Sequence, residues 1–447
     1  MKKITQLIKK IIGTKVTRTI RPFYHGIRTY LGAIYYGFPA KKLKVIGITG
    51  TKGKTTTTVF CGRILNMVSV KTGYISSSVI NTGQQEFLNK YKMSSLDGVL
   101  MHKYLKEMVD NGCKVAVIEM TSQGLEQNRH FGIGGFDVAV FLNLYPEHLE
   151  AHGGWENYRK AKAILFKNLK KEGYFIGNED DWETDFMWQN VKHKDSNRKK
   201  LISSKDYRII PSKTGIFKQV QIQNKIFDTQ LIGDFDIANT LFAIYAASLV
   251  GGVSVSELLP NIKNLQTVPG RMDFVIQHQT VKNIKDLSIL VDYAHEPESM
   301  KQLLQTIENW KKQGFFEKVI HVLSADGAGR DDWKKPIMGQ LSFKKTDFTV
   351  ITTDNYDERD SPHEILDLLA QNCLKKEEGK KFFKIVNRRL AMQKALEIAS
   401  TLANQKVLIV STGVGSEQGL TQPHGIIEWD EKTVWQELVQ EFVNYSD

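Results

Sequence analysis

Cysteine is scarce in this chain, with Cys61, Cys113 and Cys373 the only three in 447 residues. They stand far apart in no paired spacing, which excludes a disulfide framework or a cysteine zinc cluster and fits core residues in a reducing compartment. Long apolar runs are missing too. None approaches the roughly 20 residues needed to span a bilayer, and no small-residue cleavage site follows a signal-type core, so the expectation is a cytoplasmic protein. Repeats of about 20 to 50 residues are absent, which removes the solenoid and propeller classes.

Acid is missing from the first 44 residues, which hold eleven Lys and Arg; the rest of the chain carries fifty basic against forty-nine acidic residues. The net charge of +12 therefore belongs to an N-terminal arm. A neutral body offers no basic track for nucleic acid, so none is expected as a partner. Within the arm, Ile4, Leu7, Ile8, Ile11 and Ile12 repeat at helical spacing among Lys2, Lys3, Lys9 and Lys10, and an aromatic segment follows from Phe23 to Phe38. A basic amphipathic helix suits peripheral contact with an anionic membrane surface. A helix packed on its own domain, or a loose tail, is the alternative.

What is present starts at Val45-Ile46-Gly47-Ile48, an apolar run that leads into Gly50-Thr51-Lys52-Gly53-Lys54-Thr55-Thr56. This reads as a buried strand followed by a phosphate loop and a helix. Glycines let the backbone aim N–H groups at phosphate oxygens, Lys54 reaches the terminal phosphates, and Thr55 binds magnesium at a helix N-terminus. The spacing departs from the usual loop, because Ile48 takes the place of the first glycine. A solvated Gly/Lys turn is the competing reading, and the flanking strand and helix patterns speak against it.

Length alone calls for two or three domains. Strand-like runs at Val115 to Met120, Val138 to Leu142 and Gly173 to Ile176 alternate with helical patterns, as in an α/β fold with a mostly parallel sheet. Asp185 to Ile226 is polar and poorly periodic, suiting a surface excursion or short antiparallel strands, and Leu231 to Val250 resumes as a helix. A second series follows the Pro269-Gly270 turn, at Leu287 to Val291, Val319 to Leu323, Phe348 to Thr352 and Val407 to Val410. The expected division is an arm over 1–43, a central nucleotide-binding domain over 44–268, and a C-terminal Rossmann-like α/β domain over 269–447.

Downstream of the loop stand Glu119 at a strand end, His148 in Tyr-Pro-Glu-His-Leu-Glu-Ala-His, and Lys162 on a helix. Singly, each is more often a capped carboxylate, a satisfied histidine or a solvated lysine. Together and in this order they resemble the Mur ligase family, ATP-dependent enzymes that join an amino acid to a carboxylate, and within it the tripeptide synthetases. The resemblance covers about nine tenths of the chain, from near Lys44 onward.

It implies that Gly50, Thr51, Lys52, Gly53, Lys54, Thr55 and Thr56 hold phosphate, that Asn239 in Gly-Asp-Phe-Asp-Ile-Ala-Asn lies by adenine, and that Arg271 and Asp292, in Gly-Arg-Met and Asp-Tyr-Ala-His, face ATP. Thr55 and Glu119 would serve one magnesium ion, and His148 with a carbamylated Lys162 a second. An uncarbamylated Lys162 bonded to substrate is the competing role. Lys54, Glu119, His148 and Lys162 form the implied catalytic set. Ser94, Ser95, Ser122 and Arg129 correspond to acceptor contacts; Arg330, Asn355, Asp357, Gly413 and Glu417 correspond to the amine pocket.

The chemistry wants such residues. A carboxylate resists an amine, so ATP first phosphorylates it and the amine then displaces phosphate; cations offset the crowded charge. Two departures from the family pattern bear on substrate. Asp354-Asn355-Tyr356-Asp357 puts an acid where diaminopimelate-adding relatives carry an arginine, which favours a terminal ammonium such as lysine's unless Arg359 folds back. The phosphate loop also starts near residue 50, leaving no room for a uridine-binding domain, which opens a lipid-linked or membrane-proximal precursor held with help from the basic arm as the alternative to a nucleotide-linked acceptor. A folylpolyglutamate synthetase-like ligase is the nearest rival, and a non-catalytic membrane-associated scaffold is a rival of another class. A monomer is expected.

Overall fold

The computed structural model describes residues 14–91, 95–147, 152–211, 216–327, 331–402 and 404–444. Helix α1 (Thr14–Tyr35) precedes an eight-stranded sheet. The expected helix at Ile4 to Ile12 lies outside the described residues.

The first sheet runs in the order β4-β3-β2-β5-β1-β6-β7-β8. Its centre is β1 (Lys44–Thr49), parallel to β5 (Val115–Glu119) on one side and to β6 (Phe136–Phe141) on the other. β2 (Thr72–Ile75), β7 (Leu169–Asn178) and β8 (Lys199–Ile202) extend the parallel part, and β3 (Val79–Asn81) with β4 (Glu86–Leu88) closes one edge antiparallel. Successive residues of the central strands bury on opposite faces, so both faces must be covered. Ile46, Ile48, Val117 and Val140 pack under α2 (Lys54–Met67) and the largely apolar α6 (Asp234–Gly251). Val45, Ala116, Ile118 and Phe141 pack under α3 (Gly98–Asp110) and α5 (Trp155–Lys167). The short α4 (Ser122–Glu126) sits just past β5.

Only the later part of the polar stretch folds into short antiparallel strands, β9 (Tyr207–Pro211), β10 (Lys218–Ile222) and β11 (Lys225–Thr229); its earlier part holds the helix Thr184–Gln189 and the parallel β8. Beyond the Pro269-Gly270 turn a six-stranded sheet has the order β12-β13-β17-β14-β15-β16. β12 (Asp273–Val281) is antiparallel to β13 (Ile284–Asp292); β14 (Lys318–Ala325), β15 (Phe348–Thr353), β16 (Phe382–Lys384) and β17 (Lys406–Thr412) are parallel. α7 (Pro297–Lys312) covers Leu290, Leu323 and Leu408 with Leu303, Leu304 and Ile307. The helix Arg388–Ser400 covers the other face.

Registers explain where chemistry collects. Ile48 pairs with Glu119 and Thr49 with Phe141, so the carboxyl ends of β1, β5 and β6 share one edge. Asp292 pairs with Thr412 and Ala325 with Thr353, giving the second sheet a matching edge. Open α/β sheets bind ligands at such carboxyl edges. The two layers meet through Ser78, whose Oγ donates to the Pro269 carbonyl at 2.9 Å and lies 2.9 Å from Ser416 Oγ. A Cβ on Gly270 would lie 2.2 Å from the Ser416 nitrogen.

Candidate active site

The phosphate loop is shaped from both sides. Gly53 caps α2 at φ 81°, a left-handed conformation that glycine adopts without a Cβ penalty. A Cβ there would lie 2.3 Å from Asn239 Oδ1, on α6. The N–H groups of Thr51 and Lys52 donate to Asn143 Oδ1 at 3.0 and 2.8 Å, which holds the turn open. Thr51 Oγ1 lies 2.9 Å from the hydroxyl of buried Tyr158. This is a cradle a side chain would fill, and it fits a polyphosphate at a helix N-terminus.

Four predicted residues converge on it. Lys54 curls back to donate to the Thr51 carbonyl at 2.8 Å, and burial lowers its pKa against the pull of Glu119 and Glu147. Thr55 Oγ1 donates to Glu119 Oε2 at 3.0 Å, and the Ser77 N–H donates to the same oxygen at 2.8 Å. Lys162 is 2 % exposed, donates to the Gly50 carbonyl at 2.7 Å, and lies 4.8 Å above the Tyr158 ring. Burial first, and the neighbouring Lys54 second, push its pKa well below the ordinary lysine range. Thr56 is buried in the first turn of α2.

Among the described residues no group of three or more His, Cys, Asp or Glu could hold a metal ion. Magnesium asks for less: one or two protein oxygens beside phosphate and water, as Thr55 and Glu119 could give. His148 lies outside the described residues, as do Ser94 and Arg330.

Ser95 and Arg129 sit together just past the carboxyl end of β5, beside Thr121. The Arg129 guanidinium donates to the Ser95 carbonyl at 2.5 Å and to Gln127 Oε1 at 2.7 Å, while Ser95 Oγ lies 2.8 Å from Thr121 Oγ1. Ser122 is held by His152, whose Nε2 is 3.0 Å from its Oγ and whose Nδ1 is 3.0 Å from Glu126.

From the second sheet, Arg271 stacks its guanidinium 4.2 Å from the Tyr293 ring centre. Asp292 accepts the N–H groups of Met272 and Ala294, both at 2.8 Å, fixing the turn that carries Arg271. Burial raises its pKa despite Arg271. Asp236, at the start of α6, is pushed up to about 8 by burial and by Asp292. The ammonium of Lys52 joins the layers: it bonds Glu147 at 3.0 Å and Glu296, the cap of α7, at 3.1 Å.

Asn355, Gly413 and Glu417 share the second edge. Glu417 accepts from the Tyr293 hydroxyl at 2.9 Å and from Asn355 Nδ2 at 3.2 Å. Gly413 has φ 103°, and a Cβ there would lie 2.2 Å from Ser324 Oγ. Asp357 is clasped by Arg359, whose Nε donates to it at 2.8 Å. Beneath, Arg388 and Glu431 form a fully buried pair that also grips Ser411 and the Thr412 carbonyl.

Sequence reasoning missed Asn143, Tyr158 and His152. Asn143 lies two residues past β6, on the carboxyl edge where Glu119 ends β5, and that position was its signal; Tyr158 sits one helical turn before Lys162.

A cradle for triphosphate on one sheet, faced by an arginine turn and a carboxylate-and-amide pocket on another, defines a two-layer nucleotide-dependent ligase. The Mur ligase middle domain matches residues 48–247, and the Mur ligase glutamate ligase domain matches residues 270–413. The chain belongs to the Mur ligase family, and it is an ATP-dependent, ADP-forming ligase that uses magnesium. It is 34% identical over 393 residues to the UDP-N-acetylmuramoyl-L-alanyl-D-glutamate–2,6-diaminopimelate ligase of Phocaeicola vulgatus, covering 87% of this chain and 76% of that one. The ligase of the same description from Syntrophomonas wolfei is 31% identical, with 96% and 84% covered. A solved structure of such a ligase superposes with TM-score 0.56 at 25% identity, covering 90% and 78%. The fold is also that of Mycobacterium tuberculosis folylpolyglutamate synthase, TM-score 0.65 at 15% identity, covering 91% and 96%.

Proposed function

We propose that this enzyme attaches a diamino acid, with meso-diaminopimelate the first candidate and lysine the second, to a muramoyl-dipeptide-type cell-wall precursor through an acyl phosphate. The observation that carries the reading is the convergence of Lys54, Thr55, Glu119 and Lys162 on one loop, opposite Arg271 and Asp292. Relatives of known description supply the substrate class. Arg359 folds back on Asp357 and meets its charge within the turn, so the acid no longer speaks against an amine carrying a distal carboxylate.

Magnesium, held at Thr55 and Glu119, would offset the charge of the phosphates. Lys54 and the loop N–H groups orient the triphosphate, so that its terminal phosphoryl group passes to the acceptor carboxylate. Glu417 and Asn355 orient the incoming amine, which attacks the acyl carbon and expels phosphate. Lys162, whose pKa burial lowers, is the amine that would be carbamylated by carbon dioxide, becoming an anionic oxygen ligand that the family resemblance pairs with His148. The domain division at 43/44 and 268/269, cytoplasmic location, a monomeric state and peripheral membrane contact through residues 1–40 belong to the same reading. Among the described residues no helix is long and apolar enough to cross a membrane.

The test is phosphate release with ATP, a muramoyl-dipeptide acceptor and each amine in turn, with mass spectrometry of the product. A diaminopimelate adduct, lost in Lys54→Ala, is expected. Turnover only with a folate and glutamate would overturn the reading.

A further inference from the structure

Helix α1 turns its small residues inward and its large ones outward. Gly26, Thr29, Gly32 and Ala33 are buried, and the contact is close to backbone on backbone. A Cβ on Gly32 would lie 2.9 Å from Val99 Cα, and one on Gly132 would lie 2.3 Å from the Ala33 methyl. Arg28 pairs with Asp97 at 3.3 Å, and Asn128 Nδ2 donates to the Pro22 carbonyl at 3.3 Å. The outward side shows Phe23 at 70%, Ile27 at 47%, Leu31 at 58%, Ile34 at 52% and Tyr35 at 79% exposure. Their spacing makes one stripe along the helix. Rotation cannot bury it, because the space against Gly98 and Val99 admits no larger side chain than those already there.

A contiguous apolar face of this kind marks an interaction site. Charge selects its occupant. Arg21, Arg28, Lys41 and Lys42 flank the stripe in exposed positions, inside a 44-residue segment with eleven bases and no acid. A second copy docked symmetrically on this face would bring two such segments together and repel. An anionic lipid surface answers both features, since rings and aliphatic chains enter the headgroup boundary while the bases meet phosphates.

We propose that α1 is an interfacial helix that lays the enzyme on an anionic bilayer through the Phe23, Ile27, Leu31 and Ile34 stripe. The proposal rests on the peripheral-contact part of the reading above and names the surface that makes it. Its inward side abuts the loops of Asp97 and Asn128, next to Ser95 and Arg129. The acceptor end of the cleft is thereby about one helix diameter, on the order of 10 Å, from the lipid. A lipid-linked precursor reaches Arg129 without leaving the surface.

The experiment is flotation of the full chain with vesicles of phosphatidylcholine alone or with one third phosphatidylglycerol, at low and high salt. It compares wild type with Ile27→Glu/Leu31→Glu/Ile34→Glu, three exposed positions outside the cleft. Wild type is expected to prefer the anionic vesicles by about tenfold or more, and the triple variant to lose that preference. The variant's melting temperature and turnover of a water-soluble acceptor should stay unchanged. Equal partitioning of the two proteins overturns the proposal, as does a wild-type dimer that the triple variant dissociates without any vesicle binding. Failure of wild type to turn over a muramoyl-dipeptide acceptor in both soluble and vesicle-borne form counts against the acceptor proposed above, while the vesicle arms still decide the docking.

Discussion

Lys162 donates its side-chain N–H to the Gly50 carbonyl at 2.7 Å, tying the middle of α5 to the first residue of the phosphate loop. Burial has stripped this amine of solvent, and Lys54 and Lys52 add positive potential around it. A lysine so placed gives up its proton more readily than an ordinary one, and the unprotonated amine is the form that attacks carbon dioxide. With labelled bicarbonate, one carbamate carbon signal is expected in wild type and none in Lys162→Ala. Turnover should fall about 100-fold or more in that variant, the scale of a lost charge-stabilising group. Added bicarbonate cannot rescue it, and near-normal turnover would sink the carbamate assignment.

Gly53→Ala puts a methyl group at a left-handed φ of 81° and against Asn239 Oδ1. The backbone penalty alone is about 1–2 kcal/mol. Lower melting temperature and weakened nucleotide binding by calorimetry are expected. Adding Asn239→Ala should relieve the contact and recover part of the stability, leaving the backbone share.

Lys52 spans Glu147 in its own layer and Glu296 in the other. A cycle of Lys52→Met and Glu296→Gln on the unfolding free energy should give a coupling of about 1 kcal/mol, because both side chains are sheltered. A bound nucleotide competes for the same ammonium, so the coupling should shrink when a non-hydrolysable ATP analogue is present. A coupling unchanged by the analogue would mean that Lys52 serves only to hold the layers together.

Asp236 holds its proton up to about pH 8 in the folded protein, against about 3.9 in an unfolded chain. Between these values the folded state binds more protons than the unfolded, so this group's contribution to stability is full at low pH and drains away as pH rises toward 8. Asp236→Asn removes the titration. Its melting temperature relative to wild type should rise between pH 5 and pH 8, and a constant difference would contradict the assignment.

Arg388 and Glu431 are 3% and 0% exposed, so breaking one partner strands the other. Glu431→Ala should cost about 3–5 kcal/mol by denaturant unfolding. Arg388 also holds the Thr412 carbonyl next to Gly413, so amine KM should rise with the loss.

Much of this site could be read from the chain because its parts are local. A strand, a glycine turn and a helix start lie within about a dozen residues, and backbone geometry alone prescribes a phosphate cradle there. The second sheet was equally plain, since parallel strands buried on both faces read as apolar runs. The partners of Asn143 and Tyr158 were not legible, because Asn143 holds the loop's N–H groups and Tyr158 the Thr51 hydroxyl from 91 and 107 residues away. The Asp357 position shows a different limit: the acid is where the sequence says, but its charge is met by Arg359 two residues on, a fold-back that spacing permits without prescribing. For α1 the difficulty was orientation. Periodicity identifies a stripe, but only the glycines of α3 and of the loop at Gly132 decide which stripe faces in.

The turn at Gly270 leaves no room for a methyl group between itself and Ser416. Any swing of the second layer about that turn must therefore carry the Gly413 to Glu417 loop with it as one piece. If the amine seats on Glu417 as proposed, it sits on the same piece of chain as the turn at Gly270, so binding there would load that joint directly.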